Sequence, residues 1–335
     1  MSEQTKRVWL DAFGCDDPAS VLTGAVRALE EIDGLTLVMP GSRELLEKEL
    51  GSRGCDMSRV EIVDAPQIIT NDDDPATALM KKRDSSLMKA FMGLRTDRDA
   101  VGLVTAGSTG AALAGSAAFL GRLPGIVFPA LATYIPTRKG HMAVLVDCGA
   151  NVDCKPEALK LFALLGSALA ESIGREDPKV ALVSVGTEDG KGNAYTKEVF
   201  GMLKEMPINF VGNMEARGAI SGDYDVMVCD GFTGNVLLKA VEGGALFVAE
   251  TFMKELKKVM PEELYRTYAK RAFGATMGKI DMQSLGGAMI LGVSKPVVKL
   301  HGSANEKSVP NGIRQLLELG AGGFEARAIN NLKSR

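Results

Sequence analysis

The chain has 335 residues, 46% of them hydrophobic, which is enough to bury a substantial core, and its formal net charge is −3. That charge, with only 5% aromatic residues, argues against a nucleic-acid-binding protein, which needs a basic footprint and platforms for stacking bases. Cys15, Cys55, Cys148, Cys154 and Cys229 show no Cys-x-x-Cys spacing and His141 and His301 are the only histidines, so zinc ligation and a Ser-His-Asp triad are poorly supplied.

The opening MSEQTKR lacks the apolar core of a signal peptide, and apolar runs such as Ala163–Ala170 fall short of the roughly 18 residues a membrane span requires. The expectation is a cytoplasmic protein. In chain order, β-branched or apolar stretches recur at 8–12, 35–40, 60–65, 100–105, 142–149, 180–186, 208–213 and 224–231, and helix-like segments such as PASVLTGAVRALEE and PEALKLFALLGSALAES separate most of them. This alternation predicts an α/β fold with a largely parallel sheet covered on both faces. No linker or composition break divides the chain, so one intertwined domain over 1–335 is expected.

From about 243 to 286 the alternation stops, and the pattern predicts a helical hairpin split at Pro261. Its second arm is amphipathic, with Leu264, Tyr265, Tyr268, Ala269, Ala272 and Phe273 on one face. Residues 254–279 carry seven Lys or Arg against three Glu, so the hairpin is basic within a slightly acidic chain. A subunit contact or packing on the sheet is the ordinary use of such a face; docking on a membrane or an acidic partner is the other.

In open α/β sheets ligands bind where strands run into helices. Here those places hold glycines beside small polar residues: DAFGCD (11–16), TAGSTG (105–110), DCGANVD (147–153), VGTEDGKGN (185–193), GNME (212–215), DGFTGN (230–235) and HGSAN (301–305). Together they predict a crevice for an anionic ligand. The loop around Lys191 misses two known patterns. Three residues, not four, separate Gly186 from Gly190 and Gly192 follows the lysine, which excludes an ATP loop; Tyr195 stands where a dinucleotide fingerprint needs its third glycine. From these residues alone Lys191 is either a solvated turn tip or a site lysine.

In this order, DDPATALMKKRDSSL (73–87), TAGSTGA (105–111), GANVDCKPE (149–157), VGTEDGKGN (185–193), INFVGNMEAR (208–217), VMVCDGFTGN (226–235) and KLHGSAN (299–305) resemble the phosphate acyltransferase family called PlsX. The likeness runs from about 7 to 317. It implies a three-layer α/β/α body with a large mostly parallel, mixed sheet, like the isocitrate dehydrogenase and phosphotransacetylase group, assembled as a homodimer that attaches peripherally to the inner face of the membrane. It also implies transfer of a long-chain acyl group from acyl carrier protein to inorganic phosphate, without cofactor or metal, and a downstream acyltransferase that uses the acyl-phosphate. Under this resemblance the hairpin, through Leu264, Tyr268 and Phe273, contributes dimer or membrane contacts.

Such a reaction brings two anionic reactants together and stabilises the oxyanion at the thioester carbonyl. The resemblance makes Lys191 the first choice for that charge, assisted by Asn193. Ser108, Thr109, Gly110, Asn151, Asn213, Asn235 and Ser303 are candidates for the anion cradle. His301 either protonates the leaving sulfur or is a core hydrogen-bonding histidine. Lys81, Lys82 and Arg83 match the family's basic cluster and face phosphate, the carrier protein or solvent. The chain departs from the family at DAFGCD, where Phe13 and Cys15 replace Met and Gly, at Ser108 in place of Asn, and at GRLPGIVFPAL, where Pro124 and Phe128 replace basic residues. A coenzyme A-dependent phosphate acetyl- or butyryltransferase is the rival enzyme, and a non-catalytic carrier-protein scaffold is the rival of another class.

Overall fold

Alternating side chains along the strands feed two separate cores. In β1 (Lys6–Asp11), Val8 and Leu10 join one apolar cluster while Trp9 joins the other. The computed structural model describes residues 6–280 and 286–333. Within them β2 (Leu35–Gly41), β3 (Val60–Asp64), β4 (Ala100–Thr105), β5 (Ala130–Pro136), β6 (Met142–Val146), β7 (Val180–Ser184), β8 (Phe210–Glu215), β9 (Val226–Val228), β10 (Gly287–Leu291) and β11 (Val297–Leu300) complete one sheet, in the order β3-β2-β1-β4-β11-β10-β5-β6-β9-β7-β8.

The first core lies under helices Pro18–Glu31, Pro156–Ser172, Ser308–Ala321 and Phe324–Lys333. The second lies under Ser86–Thr96, Thr109–Gly115 and the start of Gly231–Val259. This is the expected three-layer α/β/α arrangement. Glycines allow the closest helix–sheet approach: at Gly234 an added Cβ would run into the Asp147 carbonyl, so the helix Gly231–Val259 sits directly on the turn after β6.

Three strands, β5, β10 and β11, are absent from the eight stretches that the sequence marks, and β5 and β10 change the topology. β10 is antiparallel to both neighbours, and β5 is antiparallel to β6, so the sheet is mixed at its centre. β1, β2, β3, β4, β11 and β5 run one way; β10, β6, β9, β7 and β8 run the other. The loops rich in glycine and polar residues therefore divide between two opposite edges instead of sharing one. The loops after β1, β4 and β11 lie on one edge, and those after β6, β7, β8 and β9 on the other.

The hairpin forms as expected around Pro261, although its first arm is continuous from Gly231. The second arm runs through Glu262–Leu264, a π-helical turn at Tyr265–Ala269, and Lys270–Ile280. Residues 281–285 of the expected hairpin lie outside the described residues. Only Tyr265 and Ala269 of the amphipathic face are buried; Leu264 and Tyr268 are exposed and Phe273 is half-buried. Leu246, Phe247, Val248, Phe252 and Val259 of the first arm are exposed as well. No helix among the described residues is long and apolar enough to cross a membrane.

Candidate active site

At the centre of the sheet, where strand direction reverses, the beginning of helix Gly231–Val259 stands over β5, β10 and β11 and leaves a cavity of about 370 Å³. Thr109, Asn235, Lys239, Glu242, Lys299 and His301 contribute its polar groups, and Leu131, Phe232 and Leu238 its apolar wall. Few polar groups converging in an apolar recess is the usual form of a small-molecule site.

The floor holds the least expected residue. Lys299 is the one charged side chain of β11, and it is only 5% exposed. Its ammonium donates to the carbonyl of Ala106, at 3.3 Å, and to that of Leu300. Burial pushes its pKa down to about 8, against the pull of Cys15, Asp11 and Asp16. Asp11, itself buried, accepts from Thr105 Oγ1 at 2.8 Å and from the Phe13 N–H at 3.4 Å; burial raises its pKa above the ordinary carboxylate value.

At the mouth, Lys239 Nζ lies 3.1 Å from His301 Nε2 and 2.7 Å from Glu242 Oε2. His301 Nδ1 lies 2.7 Å from Ser303 Oγ. Lys239, Glu242 and Asn235 share one side of the helix because they are spaced three and four residues apart. His301 is exposed at the mouth and so is not the core histidine that the sequence also allowed; partial desolvation still holds it below the ordinary imidazole value, Lys239 and Lys299 act in the same direction, and Glu242 and Asp16 oppose it. The imidazole is thus kept neutral and hydrogen-bonded on both nitrogens.

Of the residues expected from sequence, Thr109, Asn235 and His301 line this cavity, and Ser303 reaches it through His301. Ser108 is buried at the start of helix Thr109–Gly115 with no side-chain cap bond, and Gly110 packs against Pro75. Asn151 braces the turn after β6: its Nδ2 donates to Pro129 O and to Asp147 Oδ2. That turn is organised by the fully buried Asp147 carboxylate, which also accepts the N–H groups of Leu131, Gly149, Ala150 and Asn151.

Lys191 and Asn193 stand elsewhere. The Lys191 side chain is 54% exposed and lies 3.9 Å from Glu188. Asn193 caps helix Ala194–Lys204 by accepting from the Thr196 N–H, and Gly192, at φ +105°, turns the chain into that helix. Asn213 Nδ2 donates to Glu188 O, while its buried Oδ1 has no partner. These three residues follow or end β7 and β8, on the edge opposite His301. Five strand steps separate β11 from β7, or ~24 Å of sheet at ~4.8 Å per step. Of the basic cluster, Lys82 is tied to Asp73 at 2.6 Å and to the Ile68 carbonyl, Arg83 donates to Met80 O, and Lys81 is exposed.

The sequence reading missed Lys239, Glu242 and Lys299. Lys299 had a visible signal, since it is the only charge in the apolar stretch PVVKL. Lys239 and Glu242 had none, because charged residues at helical spacing are the norm on a solvated face.

The fold is that of the phosphotransacetylases: the chain is similar to a branched-chain phosphotransacylase from Enterococcus faecalis, with a TM-score of 0.61 at 16% identity over 94% of this chain and 99% of that one. It is likewise similar to a phosphotransacetylase from Streptococcus pyogenes, with a TM-score of 0.60 at 18% identity over 95% and 94% of the two chains. A family model described as "Fatty acid synthesis protein" matches residues 6–327. A phosphate acyltransferase from Brevibacillus brevis is 41% identical over 92% of this chain and 91% of its own, and one from Bacillus cereus is 40% identical over 93% and 94%. The chain belongs to the phosphate acyltransferase family.

Proposed function

We propose that the protein transfers a long-chain acyl group from an acyl carrier protein thioester to inorganic phosphate, and that the reacting atoms meet in the cavity between Lys299 and His301. The observation that carries this placement is the juxtaposition of a buried ammonium and a neutral, hydrogen-bonded imidazole in one apolar recess. Phosphate is already a nucleophile and a thiolate a fair leaving group, so the protein's task is to hold two anions together, stabilise the oxyanion and move one proton. Lys299 supplies positive charge where water is scarce. Thr109 and Asn235 supply hydroxyl and amide contacts, and His301 manages the proton.

The finer assignments follow the same logic. The exposed apolar side chains of the hairpin, from Leu246 and Phe252 to Leu264 and Tyr268, fit a face covered by a second subunit or by the membrane interface, with Phe273 beside them. Lys81 and Arg83 remain available to an acidic carrier protein. With Lys191 outside the cavity, its loop fits the carrier or a neighbouring subunit better than the phosphate bound in its own chain.

The test is phosphate-dependent release of thiol. Palmitoyl carrier protein is expected to react far faster than acetyl-coenzyme A. The reverse preference assigns the protein to the coenzyme A-dependent transferases that share its fold, and no release from either leaves the scaffold reading.

A further inference from the structure

We infer that Lys239 is the cation that receives inorganic phosphate, the phosphate entering between Lys239 and His301 in place of the hydrogen bond they now share; this rests on the reaction proposed above. An ammonium can only donate, so at 3.1 Å from Lys239 the Nε2 atom of His301 is the acceptor. The ring proton of the neutral imidazole is then on Nδ1 and is donated to Ser303 Oγ at 2.7 Å; in this tautomer the Ser303 N–H, 3.2 Å from the same nitrogen, cannot donate to it. The pair thus presents a donor cation beside a bare lone pair. Hydrogen phosphate dianion offers the complement of both, anionic oxygens for Lys239 and one hydroxyl for Nε2.

The surrounding charges fit this use. Glu242 anchors Lys239 at 2.7 Å and keeps it at the mouth, Asn235 projects from the preceding turn, and Lys299 lies on the floor of the same cavity. Asp16 is the remaining charged group that acts on His301, and it opposes the two lysines. In the reaction a phosphate oxygen forms a bond to the thioester carbonyl carbon and the carbon–sulfur bond breaks. The phosphate hydroxyl proton passes to His301 Nε2 and from there to the departing sulfur. Hydrogen phosphate dianion and thioester become acyl phosphate dianion and thiol, with atoms and charge balanced and no other reactant.

The experiment compares Lys239→Met and Lys239→Arg with the unaltered protein in steady-state kinetics across pH and in calorimetric titration with inorganic phosphate. Lys239→Met is expected to raise the KM for phosphate about tenfold or more, leave the KM for the acyl thioester in place and remove the phosphate heat, while Lys239→Arg restores most of both. Removing the cation makes His301 easier to protonate, so the acidic limb of kcat/KM for phosphate moves to higher pH in Lys239→Met. That shift reports the charge of Lys239 beside His301, whereas the phosphate KM and the phosphate heat report its contact with phosphate, which a merely structural lysine would leave in place. Unchanged phosphate KM, phosphate heat and acidic limb overturn the assignment, and if Lys239→Met is inactive but folded the titration alone decides. Absence of phosphate-dependent thiol release by the unaltered protein would instead overturn the reaction itself.

Discussion

Replacing Lys299 with methionine keeps an unbranched side chain one atom shorter and removes its charge. In the folded protein burial moves this lysine from 10.5 to about 8, a difference of about 3 kcal/mol against the charged form. The sign follows from proton counting. Between about pH 8 and 10.5 the unfolded chain holds the Lys299 proton and the folded chain does not, so stability rises with pH through that window. Below it both states are protonated and the full desolvation cost is present. The unaltered protein is therefore expected to gain about 3 kcal/mol relative to Lys299→Met between pH 7.5 and 10.5. Near pH 7 the two should differ less, because the variant leaves the Ala106 and Leu300 carbonyls without this donor, which costs about 1–3 kcal/mol. The assay is urea unfolding at several pH values and constant ionic strength. Both proteins should carry Cys15→Ser, since that thiol is coupled to Lys299 and burial raises its pKa. A pH-independent difference between them would refute the claim that Lys299 is a desolvated cation at the cavity floor.

The Lys191→Ala variant is expected to retain kcat within about tenfold and to show any loss in the KM for acyl carrier protein; a fall in kcat beyond about a hundredfold in a folded variant would move the reacting centre to its loop. For Asp147→Asn the expected loss is on the order of 3 kcal/mol, read as a lower midpoint in urea, because an amide NH₂ would face N–H groups that the carboxylate now accepts. Gly234→Ala would add a Cβ where the Asp147 carbonyl sits. It should lower stability by about 1–3 kcal/mol in the same assay despite alanine's better helix propensity, and a stabilised variant would show that the helix is free to move off the turn. Combining Leu264→Glu with Tyr268→Glu, both exposed, should weaken co-sedimentation with anionic phospholipid vesicles several-fold without changing thermal stability. If the double variant sediments normally but becomes monomeric, the face belongs to a second subunit.

How far the sequence could be read depended on whether a signal was local. Parallel strands buried on both faces announce themselves as short apolar runs, as AVGLVT and VALVSVG do, and the break at Pro261 follows from a missing N–H and a fixed φ. β5 and β10 gave weaker signals: ALATYIP and GAMIL carry small residues and a terminal proline, and they become strands because their neighbours on either side need partners. That one omission decided the site. Without β5 and β10 an all-parallel sheet would put every polar loop on a single edge, with Lys191 and His301 on the same side. With those strands reversing the sheet, the cavity takes the loops after β4 and β11 from one edge and those after β6 and β9 from the other, while β7 and β8 lie at the far end of the sheet; helix Gly231–Val259, lying across the reversal, brings Lys239 to His301 from a part of the chain 62 residues away. Lys299 follows the opposite rule. A lone charge in an apolar strand was visible in the sequence, and the burial that lowers its pKa is what the same strand pattern, taken seriously, already required.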